Sequence, residues 1–221
     1  VLSGDSAKVG DKVVTSYCEK ARAATMKNHT AAHLLQAALR EILGSHVEQA
    51  GQLVDKDVVR FDFVHFSALT DEELMKVENR VNEIIMDAVA VDNREMPIDE
   101  ARKLGAMALF SEKYGDVVRV VKAGDFSIEL CGGTHAKNTG NLGMFKIVSE
   151  TSVASGVRRI EAVTGFNAIS FVKGNIDTIT DVAAALKIAN VKEIVSRAGA
   201  IMADLKAKEK EIEKLSGVIA N

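Results

Sequence analysis

His29-Thr30-Ala31-Ala32-His33 sits in a run with apolar residues at helical spacing, and Cys131-Gly132-Gly133-Thr134-His135 follows about a hundred residues later. Each segment carries two metal-competent side chains with three residues between them. At roughly 100° per residue, positions i and i+4 lie one turn apart on one helix face, so two imidazoles can reach one ion. The apolar set Ala31, Leu34, Leu35, Ala38, Leu39 and Ile42 centres about half a turn away. The pattern predicts a helix from Asn28, a good N-cap type, to Leu43, closed by Gly44, with the two histidines facing away from the apolar stripe.

The chain has two cysteines and five histidines, and four of those seven residues fall into the two matched spacings. Imidazole and thiolate together suit zinc, so His29, His33, Cys131 and His135 are the candidate ligands. Isolated i,i+4 histidine pairs are common on helix surfaces; the second segment is what turns the pair into a candidate site. Thr30 follows His29 where a zinc-protease helix carries its general-base Glu, which argues against that enzyme class.

With 221 residues, 47% hydrophobic and 27% charged, the composition is that of an ordinary globular chain. A net charge of −3 means that nucleic acid could be held only by a local basic patch. Few cysteines and no apolar run near the roughly 20 residues of a membrane span point to a reducing, cytoplasmic setting without membrane contact. The first residue is Val, which suggests a piece of a longer protein.

Residues 1–23, with Gly4, Gly10 and the β-rich run Val13 to Tyr17, read as the tail of an upstream domain. A strand and turn are expected over Ser45 to Val54. Val59, Phe61 and Phe63 alternate with Arg60, Asp62 and Val64, the pattern of a half-buried strand, and His65 falls at its end. Thr70-Asp71-Glu72-Glu73 is a capping box opening a helix with Leu74, Val77, Val81, Ile84 and Ile85 inward. Then come a strand through Val91 to Met96, the only proline, Pro97, and a short helix Asp99 to Leu104. The runs Val117 to Val121, Phe126 to Leu130, Met144 to Val148 and Val157 to Val163 read as one antiparallel sheet. Gly132-Gly133 suits either a turn or close approach of a ligand to bare backbone N–H groups. From Asn167 the pattern is helical, with a 3-4 repeat through Ile188, Val191, Val195, Ala198, Met202, Leu205, Ile212 and Ile219. The charge run Lys206 to Lys214 reads as a solvated helical face.

Five motifs in order, Asn28 to Leu35, Gly51 to Val54, Arg60 to Phe63, Cys131 to His135 and Gly156 to Gly165, make residues 24–166 resemble the editing domain of alanyl-tRNA synthetases. The same signature occurs in free-standing alanyl-tRNA editing proteins and, more distantly, in threonyl-tRNA synthetase editing domains. The resemblance implies an α+β fold, an antiparallel sheet packed with helices. It implies zinc on His29, His33, Cys131 and His135, and hydrolysis of Ser-tRNA(Ala) and Gly-tRNA(Ala), in a family whose synthetases are ATP-dependent alanine–tRNA ligases. It also points to Thr30 and Gln49 as substrate-binding residues, with the tRNA(Ala) 3′ end as partner; Gly132 and Gly133, for their bare backbone, and Arg158, for its charge, are the further substrate-binding candidates. Departures at Ala32, Gln52, Val64 and near Ser111 bear on fine specificity.

The expected division is an upstream tail over 1–23, the editing domain over 24–166, and a helical or coiled-coil extension over 167–221 leading toward an oligomerisation domain, with a homodimer through it. That extension favours a synthetase fragment over a free-standing editor. A non-enzymatic alternative is a structural zinc module with a coiled-coil tail. Whether zinc keeps an open position is left undecided by the ligand count. Selection among glycine, alanine and serine cannot work by size alone, since one methyl is worth only about 1 to 3 kcal/mol; a hydroxyl partner such as Thr30 or Gln49 could favour serine. For contact with RNA, Lys137, Lys146, Arg158 and Arg159 are the basic residues nearest the motifs, with Arg158 and Arg159 on opposite strand faces.

Overall fold

The computed structural model describes residues 8–107 and 115–219. Gly4 and the neighbourhood of Ser111 lie outside them. Two compact units divide the chain, residues 1–168 and 169–221.

In the first unit, α1 (Glu19–Leu43) is the central element. It starts nine residues before the expected cap. Cys18 occupies the N-cap position, and Asn28 lies mid-helix and buried. The sequence Ala21-Arg22-Ala23-Ala24 explains the extension: alanine loses no side-chain freedom in a helix, so the turn forms without an apolar stripe to announce it. The run Val13 to Tyr17 is exposed and outside any strand.

β1 (Gln49–Val54), β2 (Val59–Val64), β6 (Phe145–Ala154) and β7 (Val157–Thr164) form an antiparallel sheet in the order β1-β2-β7-β6. β3 (Val91–Pro97), β4 (Val117–Ala123) and β5 (Ser127–Leu130) form a second one in that order. The strands are thus antiparallel, as expected, but split between two sheets. On β2 the alternation holds: Val59, Phe61 and Phe63 are buried.

α2 (Asp71–Met86) opens with the expected capping box: Thr70 Oγ1 accepts from Glu73 N, and the Glu73 carboxylate accepts from Thr70 N. Its Val77, Val81, Ile84 and Ile85 join Leu34, Leu35, Leu39, Phe61, Phe63, Phe145 and Ile160 in one core. α3 (Ile98–Lys103) packs on β3 and β4 around a small satellite core at Ala101, Val118 and Val120. Thr139 binds α2 to the loop beyond the Cys131 segment, donating to the Ile84 carbonyl at 2.6 Å and accepting from Val89 N at 2.8 Å.

α1 therefore has the first sheet on one side and α2 and β5 on others. Thr30 through Leu39 are all buried, including residues opposite the apolar stripe. The histidine face, opposite the apolar stripe as expected, is itself covered by β5 and the segment after it.

α4 (Gly165–Ala185) begins in the first unit and runs into the second. The second unit continues through a turn in which Lys187 has φ 55° and then α5 (Ile194–Ile219), none of whose residues is buried. Among the described residues no helix is long and apolar enough to cross a membrane.

Candidate metal centre

His29 and His33 project from adjacent turns of α1, and Cys131 and His135 come from the segment leaving β5. One donor atom from each lies within 4.8 Å of the others. Cys131 Sγ is 3.6 Å from His29 Nε2 and 3.4 Å from His135 Nε2. Tetrahedral zinc with ordinary Zn–S and Zn–N bonds would set that S···N edge at about 3.5 Å, so these side chains already stand at the separation the ion requires. His65 is elsewhere, with Nδ1 3.0 Å from His46 Nε2.

The surroundings hold each ring. His29 is hydrogen-bonded to the Thr134 backbone. Thr30 Oγ1 is 3.2 Å from His135 Nδ1 and accepts from Ala136 N at 3.0 Å. In the tautomer with the proton on Nδ1, His135 donates to Thr30 and leaves Nε2 free to bind a metal. His33 Nε2 stands 3.5 Å from Oε2 of Glu129, a fully buried carboxylate whose Oε1 accepts from Ser127 Oγ at 3.1 Å. Arg119, on β4, clamps the loop by donating from one guanidinium nitrogen to the carbonyls of Cys131 and Gly133 and from another to Asn93 Oδ1.

Burial keeps the imidazoles neutral. It lowers His33 to about 3 and lowers His29 and His135 as well, with the Arg119 charge acting in the same direction. Burial also pushes the Cys131 thiol up, opposed by the Gly133 N–H that approaches its sulfur at 3.4 Å, and raises Glu129 to about 8.

Gly133 is a position where only glycine fits. A Cβ there would stand 2.1 Å from His29 Cε1. Gly132 is exposed and has open space around it. A cleft of about 540 Å³ opens on this side, lined by Arg22, Thr25 and His29 along one face of α1 together with Tyr17, Gly133 and Thr134. Arg22 lies over the Tyr17 ring at 5.1 Å.

The remaining expected substrate residues are placed differently. Gln49 is buried at the start of β1, with its Nε2 lacking a partner among the described residues. Thr30 is buried and already engaged with His135 and Ala136, so it supports the ring rather than standing open in the cleft. Arg158 pairs with Glu150, Arg159 with Asp62 and Lys146 with Glu78. Of the four basic residues expected to meet RNA, Lys137 alone has no such partner among the described residues; Arg158, Arg159 and Lys146 are held in ion pairs across strands or to α2.

Arg119 and Glu129 were not found from sequence. The one available signal was a charge inside each apolar run, Val117-Val118-Arg119-Val120-Val121 and Ser127-Ile128-Glu129-Leu130. An outward-facing strand residue gives the same signal.

Comparison with known proteins agrees with the motifs. Residues 118–161 match the family described as threonyl and alanyl tRNA synthetase second additional domain. The chain is 56% identical over 93% of its length to an alanine–tRNA ligase of Acetivibrio thermocellus, covering 23% of that protein. It is 47% and 51% identical over its whole length to alanine–tRNA ligases of Halalkalibacterium halodurans and Albidiferax ferrireducens, covering 25% of each. The chain thus spans about a quarter of the length of the ligases it matches. Residues 118–161 are thus similar to the threonyl and alanyl tRNA synthetase second additional domain, and nearly the whole chain is similar to about a quarter of each of these alanine–tRNA ligases.

Proposed function

We propose that this chain hydrolyses the aminoacyl ester of mischarged Ser-tRNA(Ala) and Gly-tRNA(Ala), as the editing part of a cytoplasmic alanine–tRNA ligase, with zinc held by His29, His33, Cys131 and His135. The observation that carries the reading is the three-histidine, one-cysteine cluster with His29 and Gly133 lining an open cleft.

Bound there, zinc would supply Lewis acidity toward the ester or its attacking water. The chain's own residues supply the positioning. Gly132 leaves its backbone N–H unshielded by a side chain, which suits an ester oxygen that gains charge during hydrolysis, while the Gly133 N–H is turned to the Cys131 sulfur. Thr30, accepting from Ala136 N and from His135 Nδ1, holds the His135 ring with Nε2 turned toward the other ligand candidates. The Gln49 amide, whose Nε2 has no partner among the described residues, is the donor for a seryl hydroxyl, and discrimination through hydrogen bonds exceeds what one methyl provides.

The test is deacylation of Ser-tRNA(Ala) beside correctly charged Ala-tRNA(Ala). Faster loss of serine, abolished in Cys131→Ala together with bound zinc and reduced in Gln49→His with zinc retained, is the expected result. A chain that keeps its zinc and never deacylates Ser-tRNA(Ala), even at high concentration, would make the site structural.

A further inference from the structure

Three of the basic residues nearest the motifs are neutralised, so the free positive charge of the first unit lies elsewhere. On the first half of α1, Lys20 and Lys27 stand two turns apart on one face. Neither ammonium has an ion-pair or hydrogen-bond partner among the described residues. They border a groove of about 490 Å³, closed on the other side by Lys56 of the β1–β2 turn and by Phe166 and Asn167 at the start of α4. No carboxylate lines it. Lys56 is paired with its neighbour Asp57. Asn167 Nδ2 donates to the Lys56 and Asp57 carbonyls at 3.2 and 3.1 Å, fixing the two walls together. Phe166 is 84% exposed. A second hollow continues from Lys27 to Lys137, the one unpaired residue of the expected basic set.

We propose that this groove binds the single-stranded RNA behind the reacting ester, with phosphates on Lys20 and Lys27 and a base stacked on Phe166. The chemistry is that of a single-strand platform: cations follow the backbone while an open aromatic face takes a base without sequence preference. The lysines rise from points about 10 Å apart along the helix, room for separate phosphates. Lys27 precedes the ligand candidate His29 by two residues, so the groove and the metal centre share one rigid helix. With an overall charge of −3, attraction to RNA has to come from a local patch of this kind.

The inference rests on the editing reading for the source of its RNA, and the two can fail separately. The experiment measures binding of uncharged tRNA(Ala), and of a labelled single-stranded RNA, to the full chain over a range of salt concentrations, beside deacylation of Ser-tRNA(Ala). The Lys20→Ala, Lys27→Ala double variant should bind about tenfold more weakly, and its log–log salt slope should fall by about 1.4. Phe166→Ala should weaken single-strand binding about fivefold to tenfold. Lys103→Ala, an exposed lysine on α3, should change neither, and all variants should keep the parent's zinc content. Affinities within twofold of the parent in both the double variant and Phe166→Ala, or an equal loss in Lys103→Ala, would overturn the groove. A parent that binds RNA through Lys20 and Lys27 yet leaves Ser-tRNA(Ala) intact keeps the groove and sinks the editing reading.

Discussion

At the scale of single residues the metal centre depends on one absent methyl group. A Cβ at Gly133 would lie 2.1 Å from Cε1 and 2.5 Å from Nδ1 of His29, distances no side chain tolerates, so the ring would have to leave its place. Gly133→Ala should therefore weaken zinc binding at least tenfold, measured by chelator competition, while the metal-free protein melts within a few degrees of the parent. Gly132→Ala is the control, because nothing lies within 4 Å of its Cβ position. Equal affinity in the two variants would mean that His29 does not hold the ion. The buried acid beside His33 gives a second test. His33 falls from 6.5 to about 3 and Glu129 rises from 4.5 to about 8. Stability tied to the uncharged histidines is present above 6.5 and is lost as pH falls toward 3, because the unfolded chain takes up protons first. Stability tied to protonated Glu129 is present below 4.5 and is lost as pH rises toward 8. The chelator-treated protein should thus be most stable near pH 6.5, and Glu129→Gln should abolish the decline between 6.5 and 8 while keeping the acid limb. An unchanged alkaline decline in thermal melts of that variant would contradict the buried position of Glu129.

At the scale of elements, Asn28 shows what local sequence can and cannot reveal. Next to an apolar helical run it resembles an N-cap. In the fold it is a mid-helix residue whose Nδ2 donates to the Asp55 carbonyl at 2.8 Å and whose Oδ1 accepts from Thr164 Oγ1 at 2.6 Å, tying α1 to the β1–β2 turn and to the end of β7. Asn28→Ala would leave buried polar atoms unpaired and should cost about 2 kcal/mol in urea unfolding; a loss below about 0.5 kcal/mol would show that these bonds are not holding the elements together. Signals confined to neighbouring residues were legible: the capping box at Thr70 and Glu73, the alternation of Val59, Phe61 and Phe63, and the paired spacings of His29, His33, Cys131 and His135. What escaped were relations between distant segments. The insertion of β7 between β2 and β6, and the separate sheet of β3, β4 and β5, are pairings that no local period encodes. Arg119 and Glu129 meet the candidate ligands and their loop only because β5 packs on α1 and β4 pairs with β5, which alternation along either strand does not disclose.

At the scale of the whole molecule, the second unit poses the question of what covers α5. Val195, Met202, Leu205, Ile212 and Ile219 recur at 3-4 spacing, each more than half exposed, and the repeat is broken by Glu209 and Ser216. An apolar seam of that spacing on a helix with no buried residue is the pattern of a two-stranded coiled coil, in which each such side chain enters a hole on a facing helix. The polar residues in the seam lower its stability while restricting its register, so a dissociable association is expected rather than a permanent one. The chain should therefore sediment as a dimer at high concentration and dissociate on dilution. Met202→Asp combined with Leu205→Asp places two charges in the seam and should give a monomer at every concentration. Because both positions lie in the second unit, the variant should retain the zinc content and the Ser-tRNA(Ala) deacylation of the parent. A dimer that persists in the double variant would exclude α5 as its seam, and loss of zinc along with the dimer would show that the metal centre depends on association.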